Sequence, residues 1–254
     1  MEYRIVRLEE VTSTNDVAMA SPASYREGTI ITARRQTAGR GQRGNRWVSE
    51  PGVNLMFSLV LEPTHVPVER QFRISEAAAL AASDAVRRVT RGAVACDIKW
   101  PNDLYVGDRK LGGILIEHSL QSEYLSRSVI GIGINVRQRK FDPSLPNPTS
   151  IANELPPDAA PVAPDELLAA FCEAFSLRYA QVGTDAGCKA LHADFTARLW
   201  RGKARESYSY RDVASGERFE ATVAGVDADT GELILRLFSG EIRRYWFKEV
   251  EAIF

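Results

Sequence analysis

The seven residues Leu55-Met56-Phe57-Ser58-Leu59-Val60-Leu61 are apolar on both strand faces. Side chains alternate across a strand, so this segment has no face to offer to water and predicts a strand buried on both sides. A chain that contains such a strand needs a layer above it and a layer below.

Helix and strand signals alternate around it. Residues 1–11 and the β-branched residues 29–33 read as strands. Between them, Ser13-Thr14-Asn15-Asp16 offers several N-caps for a short helix running through Met19 and Ala20. Residues 69–89 carry apolar side chains at helical spacing around an Ala-rich centre and predict a long helix. Residues 96–100, 104–106, 111–117 and 129–136 read as further strands, with turn chemistry at Asn102-Asp103 and Gly107-Asp108. Seven of the twelve prolines fall between Pro143 and Pro164, which predicts irregular, exposed chain. Pro164-Asp165-Glu166 opens a helix that lasts to Val182, and residues 189–200 read as another. After Arg201 come short alternating runs separated by turns at 212–216, 227–231 and Ser239-Gly240. The expected architecture is a mixed α/β domain over residues 1–201 and a small β-barrel over residues 202–254.

Composition narrows the function classes. The 254 residues are 44% apolar and 26% charged, which is ordinary for a globular chain with a substantial core. A net charge of −1 gives no global attraction to nucleic acid or to an acidic membrane, so any electrostatic site is local. No apolar run approaches the length of about 18 residues that a membrane span needs. Mixed charge at the N-terminus, where a signal peptide is apolar, makes the cytoplasm the expected compartment. Cys96, Cys172 and Cys188 form no CxxC pair, and His65, His118 and His192 are scattered. Buried free thiols and no protein-built metal site are expected.

Residues 34–47, RRQTAGRGQRGNRW, hold five arginines, three glycines and no acid. Guanidinium groups suit phosphate oxygens, and glycines allow a close backbone approach to a ligand. Such a loop should be mobile when empty and close over a phosphorylated ligand; a solvated basic loop or a weak nucleic-acid contact fits the composition equally. It is neither a P-loop nor a dinucleotide fingerprint. In Asp97-Ile98-Lys99-Trp100-Pro101-Asn102-Asp103, alternation puts Lys99 with Asp97 on one face, and Pro101 ends the strand, leaving Lys99 at a strand terminus. Ile130-Gly131-Ile132-Gly133-Ile134-Asn135-Val136 has one bulky face and one bare face. Either a flat ligand lies against the bare backbone or another element packs closely on it. Lys110-Leu111-Gly112-Gly113-Ile114 repeats the theme.

Taken in order, these segments resemble the biotin–protein ligases. The match is carried by Ser13-Thr14-Asn15, by Gln36 with Gly39-Arg40-Gly41, by Arg43-Gly44 and Trp47, by Lys99-Trp100-Pro101-Asn102-Asp103, by Lys110-Leu111-Gly112-Gly113-Ile114, and by Gly131–Val136. The resemblance implies an α/β mixed-sheet catalytic core of the biotin/lipoate ligase type with a C-terminal SH3-like β-barrel. It also implies two half-reactions, in which biotin and ATP give biotinyl-5′-adenylate and an acceptor lysine then takes the biotinyl group. By the same resemblance Ser13, Thr14, Asn15, Gln36, Gly113 and Gly133 help hold biotin or its adenylate. Gly39, Arg40, Gly41, Gln42, Trp47 and Lys99 belong to the same binding set, with Arg40, Gly41 and Gln42 in the loop that closes on the adenylate, and Lys99 and Arg40 serve the chemistry. Asp103, Lys110 and Asn135 are expected near the nucleotide. Magnesium would come with ATP, and the partner would be the biotin carboxyl carrier domain of a carboxylase. A homodimer is compatible with the chain; nucleic acid and membrane are not expected partners.

Two departures bear on function. The family's loop carries a further arginine where this chain has Gln42, and often another in place of Asn45, so the grip on the intermediate should be weaker unless Arg43 and Arg46 compensate. The chain begins a dozen residues before Ser13, so the form without an N-terminal DNA-binding domain is expected. The rivals are a lipoate–protein ligase, which shares the adenylate chemistry, and a non-catalytic nucleic-acid binder using the basic loop.

Overall fold

The computed structural model of the chain describes residues 1–202 and 206–254, with the side chain of Arg43 excepted. A seven-stranded sheet runs in the order β1 (Arg4–Val11), β2 (Thr29–Gln36), β3 (Leu55–Leu61), β7 (Tyr124–Ile134), β6 (Arg109–Gln121), β5 (Asp103–Val106), β4 (Asp97–Lys99). β1 and β2 are parallel, joined through α1 (Thr14–Ala20), and the other pairs are antiparallel.

Every residue of β3 is buried, as the pattern required. Leu55, Phe57, Leu59 and Leu61 enter the main core with α2 (Phe72–Val89) and α4 (Pro164–Gln181). Val60, on the opposite face, packs with Ala18, Ile31 and Val129 beneath α1. Each fully buried Leu or Phe contributes about 1.5–3 kcal/mol, so a polar side chain in this strand needs a reason. Ser58 is wholly buried on the α1 side, and its reason lies in the site below.

Boundaries differ from the sequence reading where capping decides. α2 starts at Phe72, because Val68–Arg70 forms a separate 3-10 turn. α5 (Asp185–Ala197) starts earlier than expected: the Thr184 hydroxyl accepts the Gly187 N–H as an N-cap. The proline-rich interval is not irregular throughout. Ser150 caps the short helix α3 (Ile151–Glu154), and Thr149, Ser150 and Ile151 are buried.

Strands β8 (Tyr208–Asp212), β9 (Arg218–Val226), β10 (Leu233–Leu237), β11 (Ile242–Tyr245) and β12 (Val250–Ala252) form an antiparallel sheet in the order β11-β10-β9-β8-β12. The expected turns separate them. This sheet does not stand apart, since Tyr210, Leu233, Leu235 and Tyr245 belong to the same hydrophobic cluster as Leu80 and Phe195. At the seam, Gly231 adopts φ +78°, and a Cβ there would lie 2.8 Å from the Phe72 ring. Its carbonyl accepts the Trp100 indole N–H at 2.8 Å, which ties the C-terminal sheet to the residue after Lys99.

Candidate active site

Strand register gathers the chemistry on one face. Met56 lies opposite Gly133, Gly133 opposite Gly113, Gly113 opposite Asp103, and Asp103 opposite Lys99. Directly paired residues point the same way, so this row crosses the sheet on the face turned away from α2. A parallel row runs from Ser58 through Gly131 to Leu115. The face floors a cleft of about 410 Å³, walled by α1, by the basic loop and by Phe247, Lys248 and Glu251 of the C-terminal sheet.

One end of the cleft is polar and buried. Ser13, Thr14 and Asn15 are each no more than 3% exposed. The Ser58 hydroxyl lies 2.7 Å from Thr14 Oγ1 and 2.5 Å from Asn15 Oδ1. Gln36 Oε1 accepts the Thr14 backbone N–H at 2.7 Å, and Asn15 Nδ2 donates to Glu117 at 2.8 Å. A buried polar group costs free energy unless it is bonded, so these interlocking bonds hold the segment in one arrangement.

The glycines of β7 admit two side chains close against the strand while still lining the cleft. A Cβ on Gly131 would lie 2.3 Å from Asn15 Oδ1, and one on Gly133 would lie 2.5 Å from Trp47 Cε2. The Trp47 indole therefore lies on Gly133 and the Asn15 amide on Gly131, and both side chains line the cleft. On the expectation that the cleft takes biotin, Gly133→Ala should push the indole off the strand and weaken that binding by about tenfold or more, the cost of one displaced contact residue. Titration calorimetry with biotin checks this, and unchanged affinity would remove Trp47 from the binding wall.

Two expected site residues sit behind the cleft. Gly39 is where the chain passes so close to the Trp47 carbonyl that a Cβ would lie 2.4 Å from its oxygen. Asn135 is buried and donates through Nδ2 to the Thr149 carbonyl at 2.8 Å, fastening the end of β7 to the proline-rich segment. Neither reaches the cleft surface, whereas the other expected residues do.

The opposite end is cationic. Lys99 and Lys110 line it, with Asp103 bound to Lys110 at 2.8 Å. Burial pushes the Lys99 ammonium below its ordinary pKa, and the neighbouring Asp103 carboxylate opposes that shift. Arg40 and Arg46 also line the cleft. Although the basic loop contains no acid, Arg40 finds two outside it: it grips Glu117 at 3.1 and 2.7 Å and Asp16 at 2.7 Å. Gly41 N–H to Asn45 O and Trp47 N–H to Gly39 O close the loop on itself. The Arg43 side chain, expected to compensate for Gln42, lies outside the described residues.

Residues 7–135 match the model of the biotin/lipoate A/B protein ligase family, half of the chain and nearly all of the cleft-forming strands. The chain belongs to that family. A biotin–[acetyl-CoA-carboxylase] ligase of Paracoccus denitrificans is 33% identical over 70% of this chain and 73% of its own. The bifunctional ligase/repressors BirA of Bacillus subtilis and Escherichia coli are 36% and 34% identical, but the matches span only 35% and 43% of their length. The biotin protein ligase of Leishmania major in complex with biotinyl-5-AMP superposes with a TM-score of 0.63 at 26% identity, covering 96% of this chain and 98% of that one. The Aquifex aeolicus biotin protein ligase, in complex with biotin and ATP, shares the fold at 24% identity, with a TM-score of 0.78 and 98% of both chains covered.

Sequence reasoning missed Ser58, Asp16, Glu117 and the aromatic surroundings of Lys99. A signal existed for the first, the one hydroxyl in an otherwise apolar strand. For Glu117 there was none, because a glutamate near the end of a strand reads as solvated until its neighbours are known.

Proposed function

We propose that the chain is an ATP-dependent biotin–protein ligase, acting on a biotin carboxyl carrier domain. The observation that carries this reading is the gradient along the cleft floor, from the buried hydrogen-bonding cluster of Ser13, Thr14, Asn15 and Ser58, beside the charge-balanced Arg40–Glu117 pair, to the ammonium groups of Lys99 and Lys110. Biotin has the matching gradient, an uncharged ureido ring at one end and a carboxylate at the other. The Paracoccus relative and the Leishmania complex support the same reading through what their names say of those proteins. Two buried polar atoms in the cleft walls, Trp47 Nε1 and Gln42 Oε1, have no protein partner among the described residues, so a donor and an acceptor remain for a ligand.

In the first half-reaction the biotin carboxylate oxygen attacks the α-phosphorus of ATP, and the bond to the β-phosphate breaks to release pyrophosphate. Two anions must meet, and Lys99, fixed at a strand end, supplies positive charge where negative charge builds. In the second, an acceptor lysine attacks the acyl carbon and AMP leaves. Ser13, Thr14, Asn15, Gln36, Trp47, Gly113 and Gly133 form the biotin end; Arg40, Gly41 and Gln42 belong to the loop over the adenylate; Asp103 and Lys110 serve the polyphosphate. Gly39 and Asn135 act through backbone placement. Magnesium would enter on ATP, beside an Asp103 carboxylate already engaged with Lys110. We read the five-stranded sheet as an SH3-like barrel, and the chain as a cytoplasmic enzyme, in keeping with three buried free cysteines. Every helix of more than one turn among the described residues packs into a core, so no operator-binding role is proposed for them.

The test is incubation with ATP, magnesium, a carrier domain, and biotin or lipoate, followed by the intact mass of the carrier. Addition of biotin is expected. Lipoate in its place moves the chain to the other branch of the family, and an unmodified carrier sinks the proposal. Arg40→Gly, which frees the loop from Asp16 and Glu117, is expected to raise labelling of an unrelated bystander protein severalfold at matched adenylate synthesis. Equal bystander labelling by both proteins would mean that Arg40 does not retain the intermediate.

A further inference from the structure

Lys99 stands in a box of three aromatic rings. Its Nζ lies 5.0 Å from the centre of the Tyr105 ring, 5.5 Å from Trp200 and 5.3 Å from Phe254. The rings also pack on one another, with centroids 5.3 Å apart for Tyr105 and Trp200 and 5.5 Å for Trp200 and Phe254. Trp200 is anchored through its indole N–H to the Gly107 carbonyl at 2.8 Å. Phe254 is held from behind. The Arg201 guanidinium lies 4.0 Å from the Trp200 ring and 5.3 Å from Phe254, and it donates to the Ile253 carbonyl at 3.1 Å. Ile253 in turn donates its N–H to Ser209 of β8.

We infer that Phe254, delivered by the C-terminal sheet, is a positioning residue for Lys99, its ring being the third wall that holds the ammonium in place at the cleft. The inference rests on the reading of Lys99 as the cation at the reacting carboxylate and α-phosphate. A lysine ammonium sits on a flexible four-carbon stem, and pre-placement is what makes a charge useful in a transition state. Lys99 Nζ donates to the Tyr105 hydroxyl at 3.5 Å, and with the Trp200 and Phe254 rings attracting the cation on its other sides it has little room to swing. Tyr105 comes from β5 and Trp200 follows α5, so Phe254 is the wall that the C-terminal sheet contributes. The same rings keep water from Lys99, whose pKa is lowered first by burial; Lys110 and Arg201 act in the same direction, and Asp103 and Glu251 oppose them.

Phe254 is 61% exposed, so its replacement should not unfold the chain. The experiment compares biotin-dependent pyrophosphate exchange by the full chain and by Phe254→Ala, Phe254→Trp and Lys99→Ala. Phe254→Ala is expected to lower kcat by about tenfold while KM for biotin moves by less than about twofold, since a positioning role acts in the transition state. Phe254→Trp, which restores a ring, should recover most of that loss. The basic limb of the pH profile should move to higher pH in Phe254→Ala, because a rehydrated Lys99 keeps its proton longer. NMR titration of carbon-13-labelled lysine in the ligand-free protein should show the same upward movement for Lys99. Wild-type kcat with an unmoved Lys99 titration in Phe254→Ala overturns the inference. Wild-type exchange by Lys99→Ala overturns the assignment of Lys99 beneath it, and the inference with it.

Discussion

Lys99→Ala is expected to give a folded protein that forms almost no biotinyl adenylate, with the rate of biotin-dependent pyrophosphate exchange reduced by about 100- to 1000-fold. The lysine is only half-buried, and its neighbour on the other strand face, Ile98, is the residue that enters the core. Truncating Lys99 therefore opens no cavity beneath the sheet. Alanine removes the ammonium's contacts with the Tyr105, Trp200 and Phe254 rings at the cleft but leaves the core untouched, and that ammonium is the cation that register places beside Asp103 and the glycines of the cleft floor. Lys110 cannot simply replace it, because Lys110 is already bound to Asp103. The expected loss is the range seen when one pre-placed electrostatic group is removed from a reacting centre, about 2.7–4 kcal/mol. An unchanged thermal midpoint with exchange near zero supports the assignment, whereas exchange at the wild-type rate would end it.

Removal of residues 202–254 is expected to abolish exchange and to destabilise what remains. The C-terminal sheet covers Phe72 and Trp100 and lies against them through Gly231. Uncovering two partly buried large side chains costs at most about 1.5–3 kcal/mol each, a sizeable part of the about 5–15 kcal/mol by which domains are usually stable. The same deletion strips the cleft of Phe247, Lys248 and Glu251 and the Lys99 box of Phe254. Thermal unfolding and pyrophosphate exchange of a chain ending at Arg201 measure the two effects separately. A shortened chain that melts at the same temperature and exchanges normally would make the C-terminal sheet dispensable.

Much of this molecule was legible in the sequence because alternation is a local property. A strand with no polar face, such as β3, has one kind of place in a fold, and a run of short alternating segments with Gly at the turns has few choices other than an antiparallel sheet. Lys99 at the end of a strand and the arginines of the basic loop could be picked out by residue type and position alone.

What lay beyond the sequence was everything that depends on register and on contacts between distant segments. The bare face of β7 was compatible with a ligand or with protein, and only the fold shows Asn15 and Trp47 lying on it. Arg40 looked like one of several repelling charges until Asp16 and Glu117 arrived from α1 and β6. Asn135 shares an alternation pattern with Gly131 and Gly133, but past the end of β7 its amide turns to Thr149. Phe254 sits 155 positions along the chain from Lys99, with Trp200 between them (254 − 99 = 155). Hydrophobic periodicity is dictated residue by residue through the chain's own geometry. Which side chains meet across a cleft is fixed only when loop closure and packing bring separate elements into one register, and that is a property of the whole structure.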